Sequence, residues 1–155
     1  MKNRNGFTLI EVLAGSIIMS FIVIGIYDIM ILGSKSWNTD MGMLDLQQES
    51  RLAMDGMTRE LRGGSSKSPV SITDGGAKIE FSHPQAAGAI KYYIEDGKFI
   101  REYPASNKKI LANDASSLNF SHSGDVIEVQ LDSGKTVLGK NLAFSLEEKV
   151  RMRNE

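Results

Sequence analysis

Glu11 is the residue whose position most demands a chemical explanation. It lies near the start of Phe7–Leu32, where nineteen of 26 residues are apolar, and no Lys or Arg occurs anywhere in that stretch. An unpaired carboxylate in such surroundings costs several kcal/mol, so an ionisable group there is expected to have a dedicated partner and a function. The dipole of a helix N-terminus would return only about 0.3–1 kcal/mol of that cost.

The other residues with chemical potential fit no catalytic pattern. Ser133-Gly134-Lys135-Thr136 imitates the end of a phosphate-binding loop, but the first glycine of that motif would fall on Val129. A hairpin turn at Asp132-Ser133-Gly134-Lys135 is the expected reading. His83 and His122 stand in loop-like contexts with too few neighbouring ligands for zinc. Asp74, Asp96, Asp125 and Asp132 read first as turn formers, although oxygen ligands from two loops could assemble a calcium site. No nucleophile elbow or paired catalytic carboxylates appear, so neither an enzyme nor a resident cofactor or metal is expected. The chain has no cysteine, which excludes disulfides, thiolate chemistry and Cys-ligated metals. With 18 basic against 19 acidic residues it has no cationic excess for nucleic acid.

Those residues must be placed by a helix first. Val12–Tyr27 carries no charge, and its sixteen residues would span roughly 24 Å as a helix. Extension to Leu32 brings it close to a bilayer core of about 30 Å. Lys2 and Arg4 precede the run, which favours a cytoplasmic N-terminus with the remainder translocated. A cleavable secretory signal is one reading, but no small-residue cleavage site follows Tyr27. A simple single-span anchor carrying an extracytoplasmic binding module is another.

The junction suggests a third reading. Gly6-Phe7-Thr8-Leu9-Ile10-Glu11-Val12-Leu13 after the leader Met1-Lys2-Asn3-Arg4-Asn5 closely resembles the processing signal of type IV pilins and type II secretion pseudopilins. The resemblance implies that prepilin peptidase removes residues 1–6 by cutting after Gly6, then methylates the new N-terminal Phe7. It also implies that Glu11 pairs with the α-ammonium of a neighbouring subunit during assembly. The expected partners are other minor and major subunits along the N-terminal helix, an assembly-platform membrane protein, and lipid before assembly. The expected location is the bacterial cytoplasmic membrane, single-pass with the head outside, and then a pilus or pseudopilus.

No proline occurs before Pro69, so residues 7–62 read as one helix of roughly 84 Å. Residues 7–32 form its membrane part and residues 33–62 its amphipathic part. Leu46, Ser50, Ala53, Met57 and Leu61 mark one face, with Met54 beside them. Arg51, Asp55, Thr58, Arg59 and Arg62 mark the other, with i,i+4 pairs Arg51–Asp55 and Asp55–Arg59. Gly63-Gly64-Ser65-Ser66 ends the helix.

Residues 63–155 then alternate with period two around Ile79–Phe81, Ile90–Ile94, Ile127–Leu131 and Leu142–Leu146. Asp96-Gly97 marks the clearest hairpin, between 90–95 and 99–103, and Asp74-Gly75-Gly76 and Ser123-Gly124-Asp125 mark further turns. The expected fold is α+β and pilin-like, a long N-terminal helix packed on an antiparallel β-sheet head. Segments 51–62, 93–101 and 150–154 resemble the corresponding parts of J-type minor pseudopilins and W-type minor pilins. That resemblance implies a minor subunit in a tip or initiating complex.

Overall fold

A computed structural model describes residues 7–64, 70–83, 88–103, 107–124 and 126–151. Its first element is a single helix, α1 (Leu9–Gly63), followed by eight strands. The chain divides into two compact units, residues 1–40 and 41–155.

In the first unit α1 exposes its apolar side chains on every face, including Ile18, Phe21, Ile24 and Leu32. The helix is long and apolar enough to cross a membrane. A helix that is apolar all round in water would be unstable, whereas in lipid the same surface needs no protein cover.

The second unit begins on α1 at residue 41 and contains both sheets. Strands β1 (Ser71–Thr73), β2 (Lys78–Ser82), β3 (Ala89–Glu95), β4 (Lys98–Tyr103) and β5 (Asn107–Ala112) form a five-stranded antiparallel meander. Strands β6 (Ala115–Ser123), β7 (Val126–Val137) and β8 (Lys140–Arg151) form a second, three-stranded antiparallel sheet. The α+β class is therefore as expected, but the head holds two sheets where one was expected.

The core forms where the 3.6-residue period of the helix meets the two-residue period of the strands. Ala53, Met54, Met57 and Leu61 pack with Ile79, Ile90, Tyr92 and Phe99 of the first sheet and Ile127, Val129, Leu131 and Val150 of the second. Phe81 and Tyr92 stack nearly parallel at 6.0 Å between ring centroids, and Tyr92 meets Phe99 at 5.9 Å. Ser50 belongs to the buried face because its hydroxyl bonds the Ser133 hydroxyl at 2.9 Å. One hydroxyl donates to the other, so the helix carries a hydrogen-bonded polar pair into the core.

Four expectations are corrected. Thr58 is buried rather than on the outer face, its hydroxyl donating to the Asp55 carbonyl at 3.3 Å. Asp55 pairs with Arg59 at 2.7 Å, whereas Arg51 lies 6.0 Å from the centre of the Phe144 ring. Asp132-Ser133-Gly134-Lys135 is not a turn, because β7 runs straight through it. The chain reverses instead at Leu138 (φ 50°) and Gly139 (φ 80°). His122 lies within β6, paired with Ile127, and not in a loop.

Asp96-Gly97 does form the expected two-residue loop, with positive φ at both positions (52° and 71°) as a type I′ turn requires. Ser65 and Ser66 of the helix stop and Asp125 of the third turn lie outside the described residues, and the described helix closes at Gly63.

Candidate functional site

Glu11 sits in the first turn of α1, one turn after Thr8. Its carboxylate Oε2 accepts the Thr8 backbone N–H at 2.8 Å and the Thr8 hydroxyl at 3.0 Å. In return the Thr8 hydroxyl accepts the Glu11 backbone N–H at 3.4 Å. The Thr8 carbonyl accepts the backbone N–H groups of Glu11 and Val12 at 3.1 and 3.3 Å, which starts the helical ladder. This is a capping box, in which the first and fourth residues of Thr-x-x-Glu satisfy each other's backbone donors.

The geometry divides the carboxylate. Both bonds fall on Oε2, and Oε1 accepts none among the described residues. Glu11 is therefore held in one orientation with one oxygen available to a cationic partner. Thr8 was not singled out from the sequence, although its spacing to Glu11 is the signal for such a box. Phe7 is exposed beside it, and Gly6 lies outside the described residues.

Residues 1–27 match the family model of the prokaryotic N-terminal methylation motif. No curated protein and no solved structure matches the chain. The motif covers the basic leader, Gly6, Phe7, the capping box and most of the exposed apolar helix. It supports a structural subunit of pilin or pseudopilin type, and it implies processing by prepilin peptidase and assembly with other such subunits. With the long apolar helix, it fits a membrane-anchored subunit that enters pili.

In the head, the chemically suggestive residues serve the fold. Gly134-Lys135-Thr136 lies in β7 beside an open polar depression of about 680 Å³ that also touches Asp114 and Asn141. A phosphate cradle needs a loop whose N–H groups converge at a helix start, and a mid-strand segment cannot offer that. His83 follows β2 and His122 lies on β6, so the two are not brought together as a helical i,i+4 pair. Among the described residues no group of three His, Asp or Glu side chains is placed to hold a metal ion.

The densest polar cluster in the head joins helix to sheet. Glu60 of α1 accepts the Tyr92 hydroxyl at 2.5 Å and pairs with the Arg101 guanidinium at 2.5 Å. Arg101 also bonds the Tyr103 hydroxyl, and its guanidinium lies 4.0 Å from the Tyr103 ring centre. Burial, with the adjacent Glu60 carboxylate second, pushes the Tyr92 phenol well above its ordinary value, so it stays a neutral donor. These charges are mostly shielded from water and pair with each other, although the Arg101 Nε–H is buried without an acceptor among the described residues, and the cluster ties the helix end to β3 and β4.

Proposed function

We propose that the chain is a minor pilin or pseudopilin, a structural subunit of a type IV pilus or type II secretion pseudopilus. Prepilin peptidase cuts after Gly6 and methylates Phe7. Before assembly the apolar half of α1 holds the protein in the cytoplasmic membrane, with its N-terminus inside and its head outside. The subunit then joins a tip or initiating complex of several minor subunits, aided by the assembly platform. Its apolar helix passes from lipid into a bundle of neighbouring helices, so the same side chains stay in an apolar setting throughout.

The observation that carries this reading is the divided carboxylate of Glu11 within the methylation motif. Cutting before Phe7 creates an α-ammonium four residues upstream of Glu11 in every subunit. Oε1 of one subunit is then the acceptor for the ammonium of the next, while Oε2 keeps the helix capped. Removing the carboxylate leaves the apolar helix and the cleavage site intact.

Glu11→Ala should therefore be processed normally yet be recovered with partner subunits at no more than about a tenth of the wild-type yield, the loss of one charge-assisted contact in an apolar setting. Co-purification from membranes measures it. Unchanged recovery would overturn the pairing role, and failed processing would move the role of Glu11 to peptidase recognition.

A further inference from the structure

The two sheets of the head present four edges, and they differ in how far they are protected. β1 has only three residues. The outer side of β6 meets the Asp74–Gly76 turn, where a Cβ on Gly76 would lie 3.1 Å from the Phe120 carbonyl oxygen. β5 and β8 remain open at the sheet borders. β8 contains no proline and keeps twelve unbroken pairs with β7, so only its charged side chains guard it, while β5 carries Lys108, Lys109 and a register shift against β4.

The two-residue loops determine which backbone groups face outward. Such a loop is closed by a hydrogen-bonded pair, and bonded and non-bonded pairs alternate beyond it. From Val137 opposite Lys140, the even-numbered residues of β8 bond to β7, so Ser145, Glu147 and Lys149 turn their N–H and C=O groups outward. From Glu95 opposite Lys98, the same alternation carried across β4 turns Lys108 and Ile110 of β5 outward. Among the described residues no backbone bond from a turn or loop reaches these groups.

We propose that β8 of one copy pairs antiparallel with β5 of a second copy, with Glu147 opposite Lys108. Charge selects this partner and this register. Glu147 and Glu148 are adjacent and therefore point to opposite faces of β8, and Lys108 and Lys109 do the same on β5. In this register Glu147 meets Lys108 directly, Glu148 meets Asn107 and lies diagonal to Lys109, and half-buried Phe144 meets half-buried Leu111. Outward residues must meet outward residues, so the register can shift only in steps of two. One step sets Lys149 against Lys108, two like charges. The opposite step sets Ser145 against Lys108 and carries Glu147 past the start of β5.

The faces also match. Lys108 lies 5.7 Å from the Tyr93 ring on the polar face of its sheet, and Glu147 is exposed on the polar face of its own. Lys108 now pairs with Glu95, and Glu147 lies 3.9 Å from Lys149; both are exposed ion pairs whose exchange costs little. Lys149 stays engaged with Glu128 at 2.6 Å. Because β5 and β8 are different surfaces, the contact is heterologous. The contact does not depend on whether Phe7 is methylated.

The absence of native cysteine allows a direct test in the full chain. Glu148→Cys and Asn107→Cys fall on a non-hydrogen-bonded pair in the proposed register, where side chains approach closest. The two variants are mixed in detergent under mild oxidation. Disulfide-linked dimer should exceed that of either variant alone by up to about fivefold. Adding Glu147→Lys to the first variant should remove the excess, and adding Lys108→Glu to the second should restore it. Equal yields in mixed and single samples would overturn the proposal, as would an excess indifferent to the charge reversals.

Discussion

Single residues in this chain acquire their meaning from the medium around them. Glu11 and Glu60 are both carboxylates on α1, yet one is surrounded by exposed apolar helix and the other by the head's polar cluster. Glu60 accepts from two groups at once, so Glu60→Ala strands Arg101 in a mostly buried site. We expect a loss of about 3 kcal/mol in urea unfolding of the detergent-solubilised chain. Arg59→Ala breaks a pair with Asp55 at 2.7 Å, but that pair is largely exposed, and its loss should stay below about 1 kcal/mol. Similar losses for the two variants would contradict the assignment of the Glu60 cluster as the tie between helix and sheet. Asp132 supplies a pH test. The Ser117 hydroxyl at 2.6 Å and then the Ser145 hydroxyl at 2.5 Å hold its carboxyl below the ordinary value of 3.8. A depressed folded-state pKa stabilises the fold above 3.8, and that contribution is lost as pH falls through the folded value. Asp132→Asn should thus lower the urea midpoint at neutral pH, with the difference shrinking in acid below the ordinary value. A difference that grew on acidification would contradict the sign.

At the scale of elements, periodicity told helix from strand wherever one face was buried and the other wet. The stripe Leu46, Ala53, Met57, Leu61 was legible because its spacing of three and four matches a helix with one side against a core. Met57 is fully buried at its centre, and Met57→Ala should cost about 3 kcal/mol, read as a shift in the urea midpoint. A shift no larger than that of Leu52→Ala, whose side chain is exposed, would show that the stripe does not face the core. The strands that escaped notice lack clean alternation. β6 shifts register between Ala115 and Ser117, and serines fill its outer face. β5 combines two exposed lysines with an irregular register where it meets Phe99 and Ile100 of β4. In β7, Asp132-Ser133-Gly134-Lys135 has the composition of a turn, but Ser133 continues the inward series Ile127, Val129, Leu131. Its partner is Ser50, more than eighty residues away in the chain, and no local pattern announces such a contact. The capping box was open to detection, since Thr8 and Glu11 carry the required spacing.

For the whole molecule, two properties that average out in the composition belong to separate parts of the chain. An apolar helix exposed on all sides suits lipid or a bundle of like helices, and a polar head built on two sheets suits water. The methylation motif over residues 1–27 covers most of the first of these. The proposed fate of the chain is processing between Gly6 and Phe7 and entry into a filament with a modified N-terminus. Mass spectrometry of the protein purified from its native membranes tests this most directly. The expected result is loss of Met1–Gly6 and one methyl group on the α-amine of Phe7. An intact leader, or a terminus created beyond Tyr27, would contradict it.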